Sequence, residues 1–174
     1  MKGLILCAGK GKRLRPLTWF TPKPMIRVGG KPVLEHLVDH LNRFGVRDIV
    51  VNLHYQPLKI MKHFGVRLKY TYEPILLGEE LTVGSLKDWI AGEFLVVVNG
   101  DTLTNLNITR MFRLGGGRNV RFVDKGIYAG VKILGPNYYY GDRTMLDYYD
   151  TDAYWMDIGT FEGLKKAREL FKNK

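Results

Sequence analysis

Leu4-Ile-Leu-Cys-Ala-Gly-Lys-Gly-Lys-Arg-Leu-Arg-Pro-Leu-Thr18 starts apolar and turns, within a few residues, into a basic, glycine-rich loop. Gly3–Cys7 reads as a short buried strand and Ala8–Arg13 as the turn that leaves it. Downstream, Pro32 suits the first turn of a helix. Val33, Leu34, Leu37, Val38, Leu41 and Phe44 then recur at helical spacing until Gly45 stops them. Asp48–Leu53 is the next strand, followed by a helix over Pro57–His63 and a strand over Val66–Tyr72. Val83–Ala91 is expected to be helical up to Gly92. Phe94-Leu-Val-Val-Val98 is the most apolar strand and needs cover on both faces, as a central parallel strand does. After about residue 115 the pattern changes: Val120–Val123 and Ile127–Leu134 read as an antiparallel insert. Thr160 caps a final helix through Phe161, Leu164, Ala167 and Phe171. Alternating strands and helices imply one α/β domain over residues 1–174, with a mixed, mostly parallel sheet and helices on both faces.

The bulk composition bounds the function. The 174 residues, 45% of them hydrophobic, suffice for one core. One cysteine, Cys7, excludes an internal disulfide framework and suggests a reducing compartment. No apolar run reaches the roughly 18–20 residues that span a bilayer, and the N-terminal apolar stretch is too short for a signal peptide. A cytoplasmic protein with no membrane partner is the expectation. The formal charge is +10, and Lys2, Lys10, Lys12, Arg13, Arg15, Lys23, Arg27 and Lys31 all precede the first acid, Glu35. That front loading points to an anionic ligand. A general Lys/Arg-rich surface would also raise the total, but it would not concentrate the charge at one end. No helix-turn-helix or RNP-like pattern accompanies the charge, so nucleic acid ranks last.

Gly9-Lys-Gly11 after a strand has several readings. A P-loop needs a second glycine followed by Lys-Ser/Thr at fixed spacing, which Lys12-Arg13 does not supply. A dinucleotide fingerprint needs a small residue at Leu14 and an acid about 20 positions on, and Glu35 falls in a helix start. A loop that wraps phosphates with backbone N–H groups, with Arg13 and Lys23 as fixed charges, remains, beside an ordinary glycine turn. In open α/β sheets the ligand lies outside the carboxyl ends of the strands. Ala8–Arg13 and Asp101 both follow predicted strands and are expected to meet there. His36 and His40, one helical turn apart, could imitate a metal pair; opposite the apolar stripe they read as solvated.

The longer segment through Thr18, with Pro22-Lys-Pro-Met25 and Lys31-Pro-Val-Leu-Glu-His36, resembles the opening of the nucleotide-sugar pyrophosphorylases. These include mannose-1-phosphate guanylyltransferases and glucose-1-phosphate thymidylyltransferases. Lys12 replaces the family's usual threonine. Val97-Val-Asn-Gly-Asp-Thr-Leu-Thr104 resembles the second family signature and Tyr154-Trp-Met-Asp-Ile-Gly-Thr160 the third. The resemblance implies a Rossmann-like, three-layer domain. It also implies Mg²⁺-dependent transfer of a nucleoside monophosphate unit from an NTP to a sugar 1-phosphate, releasing pyrophosphate. It assigns Arg13, Lys23 and Asp101 to catalysis, and Asp101 and Asp157 to the Mg²⁺. Leu6, Ala8, Gly9, Lys10 and Gly11 are implied as nucleotide contacts. Leu81-Thr-Val-Gly-Ser-Leu86 matches the base-recognition segment, so Thr82 and Gly84 join them. Val120-Arg-Phe-Val-Asp-Lys125 and Gly126-Ile-Tyr-Ala-Gly130 match shortened acceptor segments, implying Lys125 and Gly130 for the sugar phosphate. Asn52-Leu-His-Tyr55 resembles guanylyltransferase-like members and favours GTP and mannose 1-phosphate.

Family catalytic domains usually run to well over 200 residues, so a contracted sugar-binding insert is expected around 113–150, bridged by Gly115-Gly-Gly117. That contraction leaves a second reading, a catalytically reduced nucleotide-binding or regulatory homologue. A third is a glycosyltransferase using Asp150-Thr151-Asp152 as a D-x-D metal motif. The sequence is compatible with a homo-oligomer and does not choose the oligomeric state.

Overall fold

Leu95, Val96, Val97 and Val98 are all fully buried, so the strand they form must be covered on both faces and flanked on both edges. The computed structural model, which describes residues 1–172, places it near the centre of a seven-stranded sheet. Along the chain the described strands are β1 (Lys2–Leu6), β2 (Arg27–Val28), β3 (Lys31–Pro32), β4 (Ile49–Leu53), β5 (Lys69–Tyr72), β6 (Leu95–Asn99), β7 (Thr102–Thr104), β8 (Val120–Asp124), β9 (Ile127–Leu134), β10 (Leu146–Tyr148) and β11 (Trp155–Asp157). The helices are α1 (Leu17–Phe20), α2 (Val33–Arg43), α3 (Pro57–Phe64), α4 (Glu79–Ser85), α5 (Lys87–Ile90), α6 (Ile108–Gly115) and α7 (Phe161–Leu170).

The central order is β10-β8-β9-β6-β1-β4-β5. β1 pairs in parallel with both β4 and β6, and β5 continues beyond β4 in the same sense. Only β9 is reversed, pairing antiparallel with β6 on one side and β8 on the other. The sheet is therefore mixed and mostly parallel, as expected. The segment read as an antiparallel insert does pair antiparallel, through β9, and it extends the central sheet, with Leu95 opposite Leu134 and Val98 opposite Val131.

Alternation along the strands divides the core between two layers. Ile5, Val51, Val96 and Val98 pack with Leu34, Leu37 and Leu41 of α2, Ile60 of α3, Met111 of α6 and Leu164 of α7. Leu4, Val50, Leu95 and Val97 face the other way, onto Val83, Leu86 and Ile90. Thr160 caps α7 as anticipated, its hydroxyl accepting from the Gly163 N–H at 3.1 Å. No helix is long and apolar enough to cross a membrane among the described residues.

Two expectations need correction. The helix read over Val83–Ala91 begins at Glu79, with Glu79 and Glu80 in the first turn, and breaks at Leu86 before α5. Acidic residues suit that end of the helix dipole, a signal that the apolar periodicity obscured. The two histidines are not solvated. His36 Nε2 contacts the Val28 carbonyl at 2.8 Å and its ring packs edge-on to Phe171. His40 is 6% exposed and packs against Phe44. The β2–β3 hairpin and the end of α7 cover this flank of α2, which a helical stripe alone cannot reveal.

Burial, with Arg43 nearby, lowers the His40 pKa from 6.5 to about 4. Between those values the unfolded chain binds a proton that the folded chain does not, so stability rises with pH across the window and is lost as pH falls through it. In urea titrations, His40→Leu is expected to shrink the stability difference between pH 7 and pH 4.5 by about 2 kcal/mol. An unchanged difference would remove His40 as its source.

Candidate active site

The site forms where β1 and β6 end side by side. The Gly100 N–H donates to the Leu6 carbonyl at 2.9 Å. A Cβ at Gly100 would lie 2.6 Å from that oxygen and 2.7 Å from Cys7 Sγ. Only glycine allows the turn after β6 to lie this close to the turn after β1. The approach places Asp101 beside the loop that carries Gly9 and Lys10, both exposed. Gly11 takes a left-handed conformation at φ 60°, and its carbonyl accepts from the Leu14 N–H and the Thr18 hydroxyl. That conformation turns the chain into the short helical segment Lys12–Leu14, which presents Arg13.

Four charged side chains converge there. Lys23 pairs with Asp101, both largely shielded from solvent, and Arg13 Nη2 lies 3.5 Å from Asp157 Oδ2. β7 and β11 bring the two acids together, with Thr102 opposite Asp157, and the Ile158 N–H donates to the Asp101 carbonyl at 2.9 Å. Gly159 sits at the junction. A Cβ there would be 2.7 Å from Arg13 Nη2 and Asp157 Oδ1, and 3.1 Å from Asp101 Oδ2. The two carboxylate oxygens are therefore no farther apart than the sum of those distances. A glycine requirement at this position was not recognised in the sequence.

The donor set suits a hard divalent cation. Two carboxylates supply oxygen ligands and leave positions for phosphate and water, the usual arrangement for Mg²⁺. No cluster of three or more ligating side chains exists among the described residues. Any cation here would therefore complete its shell with substrate phosphate or water.

Two clefts flank this junction. One, of about 270 Å³, is bordered by Arg13, Asn99, Asp101, Tyr128, Gly130 and Asp157, among others. The other, of about 250 Å³, is bordered by Leu6, Ala8, Gly9, Asn52, Glu73 and Glu79, among others. Asn52 and Glu73 were not singled out as ligand-facing residues, yet they organise the second cleft. Asn52 accepts from the Cys7 N–H at 2.6 Å and donates to Glu73 at 2.8 Å. Glu73 also accepts from the Thr82 hydroxyl at 2.5 Å and the Leu77 N–H at 3.3 Å. Thr82 is thus buried one layer behind the cleft, bracing Glu73, and Gly84 lies on the exposed side of α4. Gly78 and Glu79, just ahead of Thr82 and Gly84 in the chain, border the cleft. The longer helix carries residues 82 and 84 out of the loop.

On the acceptor side, Gly130 borders the first cleft and Lys125 does not. Gly130 is held at φ 75°, and a Cβ there would lie 2.2 Å from Thr102 Oγ1. Lys125 occupies the exposed β8–β9 turn at φ 49° and does not border the cleft. Asp150 and Asp152 lie elsewhere. Asp150 accepts from the Tyr148 hydroxyl and the Asp152 N–H, and Arg110 lies 3.7 Å from Asp150 and 3.8 Å from Asp152. The Asp150-Thr151-Asp152 motif is a braced turn and borders neither cleft. Cys7 is buried, and burial pushes its thiol pKa upward, so it supplies no nucleophile.

Asn52→Ala is expected to cost about 2–3 kcal/mol in urea denaturation, because the Cys7 N–H and Glu73 each lose a buried partner. A loss below about 0.5 kcal/mol would show that solvent replaces it.

A family model described as nucleotidyl transferase matches residues 2–120. The bifunctional protein GlmU of Methanococcus maripaludis is 36% identical over 137 residues, covering 78% of this chain and 33% of that protein. Mannose-1-phosphate guanyltransferase of Yarrowia lipolytica is 28% identical over 225 aligned residues, covering 91% of this chain and 61% of the relative. That alignment is longer than this chain, so the relative carries residues that this one lacks. The chain spans about a third of GlmU and about three fifths of the guanyltransferase. Among solved structures, a putative glucose-1-phosphate thymidylyltransferase from Bacillus anthracis, in complex with a sucrose, superposes with a TM-score of 0.86. It is 18% identical, with 100% of this chain and 96% of that one covered. HddC from Yersinia pseudotuberculosis, complexed with GMP-PN, gives a TM-score of 0.80 at 22% identity, covering 98% and 99%. At such identities these structures establish the fold alone. With the family match running from the first strand to the start of β8, the chain belongs to the nucleotidyl transferase family.

Proposed function

We propose that the chain transfers a nucleoside monophosphate unit from an NTP to a sugar 1-phosphate, releasing pyrophosphate. The observation that carries this reading is the convergence of Arg13, Lys23, Asp101 and Asp157 around Gly159. They come from three distant parts of the sequence. We assign the NTP to the cleft bordered by Leu6, Ala8 and Gly9 and the sugar phosphate to the one bordered by Tyr128 and Gly130, because the first opens beside the glycine-rich loop and the second contains Arg13, Asp101 and Asp157.

The chemistry requires no general base. A phosphate oxygen of the sugar 1-phosphate, already ionised at neutral pH, attacks the α-phosphorus of the NTP. A new P–O bond forms as the α–β bridging bond breaks, and the electron pair leaves with pyrophosphate. The obstacle is the meeting of two anions and the charge that grows on the leaving group. Arg13 and Lys23 offset that charge, and the N–H groups of the glycine-rich loop position the phosphates. Asp101 and Asp157 would hold Mg²⁺, which when bound neutralises phosphate charge.

Similarity to a mannose-1-phosphate guanyltransferase, together with Asn52-Leu-His-Tyr55, makes GTP and mannose 1-phosphate the first pair to test. A pyrophosphate-release screen of five NTPs against several sugar 1-phosphates is expected to yield one productive pair, and Asp101→Ala to lower its rate at least about 100-fold. The outward Lys125 supports the second reading, a catalytically reduced nucleotide-binding or regulatory homologue. NTP binding without turnover on any acceptor would select it over the transferase.

Gly159→Ala tests the shared junction. The added methyl forces Arg13 and both carboxylates apart, so turnover is expected to fall by roughly 100-fold. Circular dichroism should remain that of the parent. Near-parental turnover would show that the four groups do not act together.

A further inference from the structure

One ion pair lies between the two clefts. Glu79, in the first turn of α4, borders the nucleotide-side cleft. Its partner is Lys132, on β9, and the two side chains are only 27% and 18% exposed. The Lys132 ammonium also lies over the ring of Tyr128, 5.1 Å from its centroid, and Tyr128 borders the acceptor-side cleft. Tyr128 and Lys132 flank the irregular stretch of β9 at Gly130, where four residues of β9 span two of β8, and their side chains meet there. Lys132 stands opposite Val97 of β6 and reaches across toward α4, which covers that strand. Glu79 is felt at Tyr128 as well: burial raises the phenol pKa, and the Glu79 charge adds to the rise.

We propose that Lys132 is a positioning residue that couples the two clefts, so that an NTP on the Glu79 side tightens binding of the sugar phosphate on the Tyr128 side. The proposal rests on the assignment of the clefts made above. Its physical basis is that one ammonium holds both walls. An ion pair this shielded is little screened by solvent, and an ammonium over a ring face adds a second attachment. A nucleotide that orders Glu79 therefore restricts Lys132, and through it Tyr128. The acceptor then meets a wall already in place and loses less freedom on binding. Coupling of this kind is reciprocal, so the acceptor tightens the nucleotide by the same factor.

Calorimetry on the full chain tests this, with α,β-methylene GTP as nucleotide probe and mannose 1-phosphate as acceptor probe, or the pair chosen by the pyrophosphate screen. Saturating nucleotide is expected to tighten the acceptor about tenfold. Lys132→Met with Glu79→Gln removes both charges, leaves no orphaned carboxylate and should reduce the ratio to below about twofold. Lys132→Arg keeps both contacts and should preserve the ratio. Because the readout is a ratio, a uniform loss of affinity or stability cancels from it, as it would for a residue with a merely structural role. Equal coupling in the parent and the double variant overturns the proposal. A parent that binds both probes without coupling also overturns it and leaves the transferase reading standing. A parent that binds neither, whatever pair is offered, overturns both.

Discussion

The parallel pairing of β1 with β6, closed by the Gly100–Leu6 hydrogen bond, is the constraint on which the site depends. Its five registered residue pairs bring the ends of two strands together that are separated by about 90 residues of chain. The first strand releases the glycine-rich basic loop at that edge, and the second releases Asp101. A side chain at position 100 would push these turns apart by occupying the space of the Leu6 carbonyl. Sheet pairing thus performs the long-range step, and glycine permits the final approach.

Charge governs what the junction can hold. Two carboxylates facing one glycine would repel each other, and each is held by a cation from the N-terminal segment. The Lys23–Asp101 pair is shielded and hence the stronger; Arg13 is mostly exposed, so its hold on Asp157 is weaker. Both cations are well placed to exchange carboxylate oxygens for phosphate oxygens, which are similar acceptors carrying more charge. The basic front loading of the chain has its physical counterpart here, although Lys10 and Lys12 remain exposed with no ion pair to the described acids.

Legibility followed the range of each signal. Periodicity located β1, β4, β6, α2 and α3 to within a few residues, because each buries a simple stripe or a continuous run. Thr160 announced α7 through a local cap. The short strands β10 and β11 hold too few residues to show a period; α6 is strongly amphipathic, burying Ile108 and Met111, but its stripe covers only about two turns before three glycines. The family match stops at Val120, and beyond it Lys125 stands in a tight turn that faces solvent. Thr82 lies buried, with its hydroxyl bonded to Glu73. Asn52 stands out only as part of Asn52-Leu-His-Tyr55, and Glu73 has no marking pattern around it. Their polarity makes sense only when β4 and β5 stand beside β1.

By itself the sequence determined the fold class, the strand that opens into a phosphate-suited loop, and the residue types able to manage phosphate charge. These are properties of short segments: burial pattern, turn chemistry and local charge. Only the tertiary structure decided which of those residues meet. It placed Gly159 between Asp101, Asp157 and Arg13, set Glu73 on the wall of one cleft with Thr82 behind it, and joined the two clefts through Lys132. Such contacts arise from strand order and register, which bring side chains from distant parts of the chain within a few ångströms, and no local pattern records them.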